Sequence, residues 1–519
     1  MLRATRPDWD ARSGACPECV YEVVKQIEAQ KSQVSISADL QIPYPVYSPD
    51  ETDLLSTPTR VRANPNFSGR GVTMAFLDSG FYPHPDLVRP ANRIVAHIDA
   101  TGSDPIERKR FKTPRVTSWH GLMTACIGTG SGFMSGGLYR GIASGAALVL
   151  VKTGSSRTRR ISEKDIARAL KWVIAHGERH NVRVVNISLG GDHASVGKLT
   201  ELDALTEEAA ARGMAVVCAA GNGGVERIIP PASAPSAITV GGLDDGNSLD
   251  RNHFQLWRSN YGRGAFGVPK PDVIAPSVWL AAPLLPKTST HNEALFLFRL
   301  VNATDSELRR ILKTDYAKAR FKIETLHLPL VDIRRVIRDR MIAQKFVHPH
   351  YQHVDGTSMA APIVSGVVAQ MIEANPSLTP AQIKERISTT ARPLPGVPRE
   401  RQGRGTINAA RAVAAAMRAP GGPMKGLPIS PYLTDQYVSF YLHQRGAKRI
   451  ALAGSFNLWQ PEPMQEIFPG AWQCSIPHLP SGEYRYKFIV DGERWIDDPE
   501  NANGVGDGYG GYHSVLTIG

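Results

Sequence analysis

The chain has 519 residues, more than one hydrophobic core usually serves, so two or three folded units are expected. Hydrophobic residues make up 42% and charged residues 21%, a globular composition that excludes a disordered chain. The formal charge of +12 would suit acidic partners, but Lys and Arg are interspersed with Asp and Glu and no nucleic-acid-binding motif accompanies them. A soluble basic surface is expected, with no nucleic acid as partner.

No run is long and apolar enough to span a bilayer, which predicts no membrane partner. The opening MLRATRPDWDARSG carries positive charge without an apolar core, so no secretory signal is expected. Cys16, Cys19, Cys126, Cys218 and Cys474 are odd in number and scattered. Such a set predicts free thiols in a reducing compartment, hence a cytoplasmic protein.

In chain order, residues 1–61 form a polar, irregular N-terminal extension with one helical stretch near 21–29. It holds a Cys16-Pro-Glu-Cys19 pair, but a structural zinc needs four ligands and no second pair or nearby His supplies them. An incidental pair, or half of an intermolecular site, is expected. From 62 to 419, apolar runs alternate with helical patterns. The runs are VTMAFLD (72–78), ALVLVKT (147–153), VRVVNISL (182–189), MAVVCAAG (214–221) and AITVGG (237–242). Continuous Val, Ile and Ala between helices predict strands buried on both faces. The expectation is an α/β fold with a doubly wound, mainly parallel sheet.

Within that region, residues 277–354 form a long basic segment that reads as a helical insertion. Thr304 to Glu307 spell a capping box, and Leu308, Ile311 and Leu312 then fall at helical spacing. Ile333, Val336, Ile337 and Met341 give a second apolar stripe. A surface helical hairpin packed on the domain is expected; the alternative is a lid or substrate-selecting element. The Pro/Gly-rich stretch 420–433 reads as a linker. Beyond it, 434–519 shows short alternating strands with tight turns, as in a small all-β immunoglobulin-like sandwich.

Nucleophilic peptide cleavage needs a hydroxyl, a base, a carboxylate that orients the base, and donors for the oxyanion. Asp78 ends the first strong strand, where open α/β sheets build their sites. His120 opens a small-residue run that fits a closely packed helix. Ser358 lies in DGTSMAAP (355–362) at the start of a further helix, where backbone N–H groups are free. Asn222 closes AAGN (219–222) just after a strand, placed to donate its side-chain amide.

With these residues in the order Asp, His, Ser, the chain resembles the subtilisin family of serine proteases (subtilases). FLDSG, HPDL, NISLGG, AAGN, KPDVIAP and DGTSMAAP carry the likeness. The resemblance implies that Asp78 orients the imidazole, His120 is base then acid, and Ser358 is the nucleophile. It implies an oxyanion hole from Asn222 and the Ser358 amide. It also implies that Ser188, Leu189, Gly190 and Gly191, with Ala219, Ala220 and Gly221, pair with substrate backbone and wall the P1 pocket. Ile228, Ile229, Pro230 and Pro231 stand near that pocket's expected floor and favour a small or apolar P1 side chain. The family usually follows its His with Gly-Thr-His, whereas Leu122 and Met123 follow Gly121 here. No catalytic cofactor is implied, and the structural calcium of many relatives has no assignable ligands in this sequence.

Two further likenesses are carried by shorter motifs. Leu40-Gln41-Ile42-Pro43-Tyr44 is similar to the active-site-crossing extension of intracellular subtilisins; ordinary linker chemistry is the alternative. GSFNLW (454–459), LPSGEYRYKFIVDGERW (479–495) and the terminal GGYHSVLTIG resemble the glycogen-binding module of AMP-activated protein kinase. That resemblance implies Trp459, Lys487 and Trp495 as binders of a glycogen-like glucan, with His513 where the family has Asn. An interaction or dimerisation role is its alternative. For the whole chain the expectation is a cytoplasmic protease acting on a protein or peptide. The competing readings are a catalytically silent scaffold and a narrowly selective regulatory protease.

Overall fold

The computed structural model describes residues 54–108, 111–115, 117–155, 161–191, 198–501, 503–508 and 511–519. The Cys16/Cys19 pair and the 40–44 segment lie outside the described residues.

The apolar runs become seven parallel strands: β1 (Thr73–Asp78), β2 (Ile94–Asp99), β3 (Ala147–Lys152), β4 (Val182–Ile187), β5 (Ala215–Ala219), β6 (Ile238–Asp244) and β7 (Val273–Pro276). Their order across the sheet is β7-β6-β5-β4-β1-β3-β2, with Ile106–Glu107 and Gln255–Leu256 as short antiparallel additions. Every residue of β1 is buried, as a central strand covered by helices on both faces requires. One covering layer holds α2 (Glu163–His176) and α3 (Glu201–Ala211), whose Ile166, Leu170, Leu202 and Leu205 pack on Leu77, Val149 and Val185. Helix α1 (Ser118–Thr129) is almost wholly buried. It approaches the sheet through Gly121, where a Cβ would stand 2.2 Å from the Gly80 carbonyl oxygen. No side chain fits there, so the closeness of His120 to Asp78 depends on that glycine.

The 277–354 insertion is richer than a helical hairpin. It contains α4 (Ser289–Val301), α5 (Asp305–Asp315) and α6 (Leu330–Ala343). These are framed by β8 (Leu280–Pro283), β9 (Phe346–His348) and β10 (Tyr351–Val354), an antiparallel sheet ordered β8-β10-β9. The Thr304/Glu307 capping box is present. Leu308, Ile311, Leu312, Ile333, Ile337 and Met341 bury themselves with Phe296, Leu297 and Leu300 in a core of their own. Helix α4 has no clear helical spacing in the sequence, because 294–298 is an unbroken apolar run. From β10 the chain runs directly into α7 (Thr357–Ala374).

The stretch expected as a linker divides between two compact units that meet at Leu427/Pro428. Met424 is buried and its N–H donates to the Met417 carbonyl at 3.0 Å, while Asn375 donates to the Pro420 carbonyl at 3.1 Å. Ser430 instead belongs to the C-terminal unit, where its hydroxyl donates to Asp498 at 2.6 Å and its amide to Glu500 at 3.0 Å. That unit is all antiparallel β, as expected. One sheet centres on the pairing of Tyr437–His443 with Ala471–Pro477, the other on Gly482–Val490 between Ile450–Gly454 and Tyr512–Ile518. Val438, Phe440, Leu452, Trp472, Phe488 and Leu516 fill the sandwich.

Candidate active site

Strand β1 delivers Asp78 at its C-terminal end, fully buried. Its Oδ1 accepts from the Ser79 amide at 2.6 Å and lies 2.7 Å from His120 Nδ1, while Oδ2 accepts from the Thr124 hydroxyl at 3.1 Å. A carboxylate only accepts, so Nδ1 carries the proton and Nε2 keeps its lone pair. Thr124 stands one turn beyond His120 on α1, so a single helix supplies both the imidazole and a brace for its partner. Burial opposes protonation of His120; the charge of Asp78 and the hydrogen bond to it outweigh that, and the pKa lies above the ordinary histidine value.

Ser358 is the second residue of α7 and half-buried. The turn into the helix passes through Gly356 at φ 131°, a conformation open to glycine and costly for other residues. The Ser358 hydroxyl points to the Ser188 carbonyl at 3.4 Å, and the Ser188 hydroxyl donates to the Ser358 carbonyl at 2.9 Å. No hydrogen bond joins Ser358 to His120 among the described residues. Catalytic contacts commonly tighten only when substrate arrives.

Asn222 is exposed, but its amide is held. Its Oδ1 accepts from the Thr357 amide at 2.9 Å and the Thr357 hydroxyl at 2.8 Å. Two donors on one atom identify that atom as the oxygen and leave Nδ2 as the group presented outward. The Ser358 amide sits in the first turn of α7, where N–H groups have no intrahelical acceptor. Thr357 has no assigned role in the sequence reading. Its partners are distant in the chain, and only a Thr at a helix start beside a candidate Ser hints at it.

The expected substrate-binding residues separate into two kinds. Leu189 and Gly190 follow β4, and their backbone groups form no hydrogen bond among the described residues. Gly191 donates to the Pro230 carbonyl at 2.7 Å. Ala219 and Ala220 pair with β6, and Gly221 at φ 101° gives its amide to Thr357 and its carbonyl to the Asn260 amide. The Ala220 and Gly221 amides and the Gly221 carbonyl are therefore engaged within the protein. Ile229 touches Gly190, where a Cβ would come within 2.4 Å of its side chain. Ile228 lies in the core behind. Leu122 and Met123 are buried packing residues of α1.

In the C-terminal unit Trp459 lies between Trp495, at 6.3 Å between ring centroids, and His513, at 4.9 Å. Trp495 is 45% exposed. The Lys487 amine is paired with Asp507 at 2.6 Å, so it reaches this surface as half of an ion pair rather than as a free donor.

For a metal, one group of three donors stands out among the described residues: His84, Asp86 and Cys126, all buried. Nitrogen and sulfur do not suit calcium, which takes six to eight oxygens. Asp86 already accepts from the Tyr351 hydroxyl at 2.6 Å and the Met134 amide at 3.1 Å. These residues do not fit calcium, and no step of the chemistry is routed through it.

Residues 69–408 match the subtilase family, and residues 438–519 match the glycogen recognition site of AMP-activated protein kinase. Serine protease AprX of Bacillus subtilis (strain 168) is 30% identical over 366 residues, 68% of either chain. Subtilisin Savinase of Lederbergia lenta is 26% identical over 351 residues, covering 67% of this chain and 93% of that one. Subtilisins need no cofactor for catalysis. With its strand-end Asp78, paired His120 and helix-start Ser358, the chain belongs to the subtilase family and is a subtilisin-like serine protease.

Proposed function

We propose that the protein is an endopeptidase in which Ser358 is the nucleophile, His120 the base and then acid, and Asp78 the group that fixes the imidazole. The observation that carries this reading is the 2.7 Å contact between buried Asp78 and His120 Nδ1, which leaves Nε2 free to accept a proton. Ser358 Oγ attacks the scissile carbonyl carbon while its proton passes to Nε2. The oxyanion is received by Asn222 Nδ2 and the Ser358 amide. The C–N bond breaks as His120 protonates the departing amine, leaving an acyl-Ser358 ester. A water deprotonated by His120 hydrolyses the ester and restores the hydroxyl. Leu189 and Gly190 are proposed to pair with substrate backbone, and Ile229 favours a small or apolar P1 side chain. Casein hydrolysis by the purified protein, lost in Ser358→Ala, tests the proposal; equal hydrolysis by both proteins would defeat it.

A glycogen-like glucan is the second proposed partner. Indole faces stack on the apolar faces of glucose rings, and Trp459, Trp495 and His513 supply such a surface. Retention of residues 428–519 on immobilised glycogen tests it, and failure to bind would remove it. A cytoplasmic setting completes the proposal, supported by the buried free thiols of Cys126, Cys218 and Cys474. Neither nucleic acid nor membrane enters this reading.

A further inference from the structure

The 277–354 insertion closes back on the turn that carries the nucleophile. Residues near its start and near its end meet at Asp355, which opens the DGTS turn. Asp355 Oδ1 accepts from the Trp279 amide at 3.2 Å, and Oδ2 is paired with the Lys345 ammonium at 2.5 Å. One step further on, the Gly356 amide donates to the Ser277 carbonyl at 2.7 Å. Thr357, which holds Asn222, comes next, and Ser358 follows it. At Gly356 the turn passes so near the oxyanion side chain that a Cβ there would lie 3.3 Å from Asn222 Nδ2. The turn is therefore gripped from both sides, by the insertion at 355 and 356 and by Asn222 at 357.

The insertion's grip is itself braced. Arg60, buried beside Asp245, donates to the Val278 and Trp279 carbonyls at 2.7 and 3.1 Å. Lys345 stands just past α6 with φ 58°, a conformation that costs glycine least. Its carbonyl accepts from the His353 amide at 2.8 Å, two residues before Asp355. A lysine in that conformation supplies what glycine lacks, an ammonium that reaches the Asp355 carboxylate. The pair is partly exposed, so its worth to overall stability is small. Its effect falls on position instead. A turn free to shift at 355 carries with it Thr357, the Asn222 amide and the Ser358 amide, where a displacement of about 1 Å is costly to rate.

We propose that Lys345 and Asp355 are positioning residues for the oxyanion hole, through which the insertion sets the turnover rate of the triad. Neither is asked to touch substrate or to move a proton. The inference rests on the roles proposed above for Ser358 and Asn222.

The test measures kcat and KM of full-length variants on one peptide substrate, with active sites counted by titration with a fluorophosphonate. Lys345→Ala is expected to lower kcat per titrated site by about tenfold or more, with KM held within about twofold. Its Tm should move little, because the pair is partly exposed. Lys345→Arg restores most of the rate, and Lys313→Ala, exposed on α5 of the same insertion, changes nothing. Asp355→Asn keeps an acceptor for the Trp279 amide but loses the ion pair. Lys345→Ala/Asp355→Asn should therefore be no slower than the slower single variant. Unchanged kcat per site in Lys345→Ala overturns the inference, even where Tm and the number of titrated sites fall, and so does a double variant whose losses multiply. Failure of the catalytic reading shows separately, as folded wild-type protein that takes no probe at Ser358, and the inference falls with it.

Discussion

Asn222 and Thr357 are joined by two hydrogen bonds, from the Thr357 amide at 2.9 Å and its hydroxyl at 2.8 Å, both onto Asn222 Oδ1. The pair fixes the orientation of the Asn222 amide before any substrate arrives, which is what electrostatic preorganisation requires. Asn222→Ala is expected to lower kcat by about 10²–10³-fold with little change in KM. Thr357→Val removes one of the two restraints and should cost less, about fivefold, the worth of one hydrogen bond. Steady-state kinetics on a peptide substrate separates the two.

Asp78→Asn replaces an acceptor with a group that also donates, so His120 Nδ1 loses its fixed proton. A fall in kcat of about 10⁴-fold is expected. The pH profile carries a second signature. In the proposed mechanism His120 acts when deprotonated, and its pKa lies above the ordinary histidine value because Asp78 outweighs burial. The wild-type kcat/KM should therefore rise with pH through a limb above 6.5, the ordinary histidine value. In the variant the limb should move to lower pH. A limb that does not move would separate His120 from Asp78.

What the sequence reveals depends on how each feature is spread along the chain. Asp78, His120, Asn222 and Ser358 each sit inside a contiguous run whose strand or helix context is local, so they were legible. Thr357 and Thr124 were not, because their partners lie 135 and 46 residues away. The 277–354 segment showed its capping box and two apolar stripes, but its strands and α4 are defined by pairing and burial within the insertion. Residues 420–433 have the composition of a linker, yet Met424 and Ser430 pack like domain residues.

Acid should unfold the protease unit well above carboxylate pKa values. Burial lowers His97 and His353 each to about 4 from an ordinary 6.5. Below 6.5 the unfolded chain takes up these protons and the folded chain does not, so stability falls as pH drops from 6.5 toward 4. At pH 4 each histidine contributes about 3 kcal/mol of this loss. Denaturant titrations of Ser358→Ala protein at pH 7 and 5 should show a lower midpoint at pH 5, and a smaller difference in His97→Gln. Identical midpoints would contradict the assignment.

For the glucan surface, Trp495→Ala removes the more open of the two indoles and should weaken binding to maltooligosaccharide by ~10-fold or more. Lys487→Ala should do less, since its amine is already paired with Asp507. Isothermal titration of residues 428–519 gives both values. Equal losses would mean that Lys487 leaves Asp507 to reach the sugar.

The most direct test of the catalytic reading is covalent labelling of the purified protein with a fluorophosphonate probe, which reports an activated serine without knowledge of the substrate. Labelling of the wild type at Ser358, lost in Ser358→Ala and strongly reduced in His120→Ala, is the expected result. Absence of labelling in folded wild-type protein, or labelling that persists in Ser358→Ala, would contradict it.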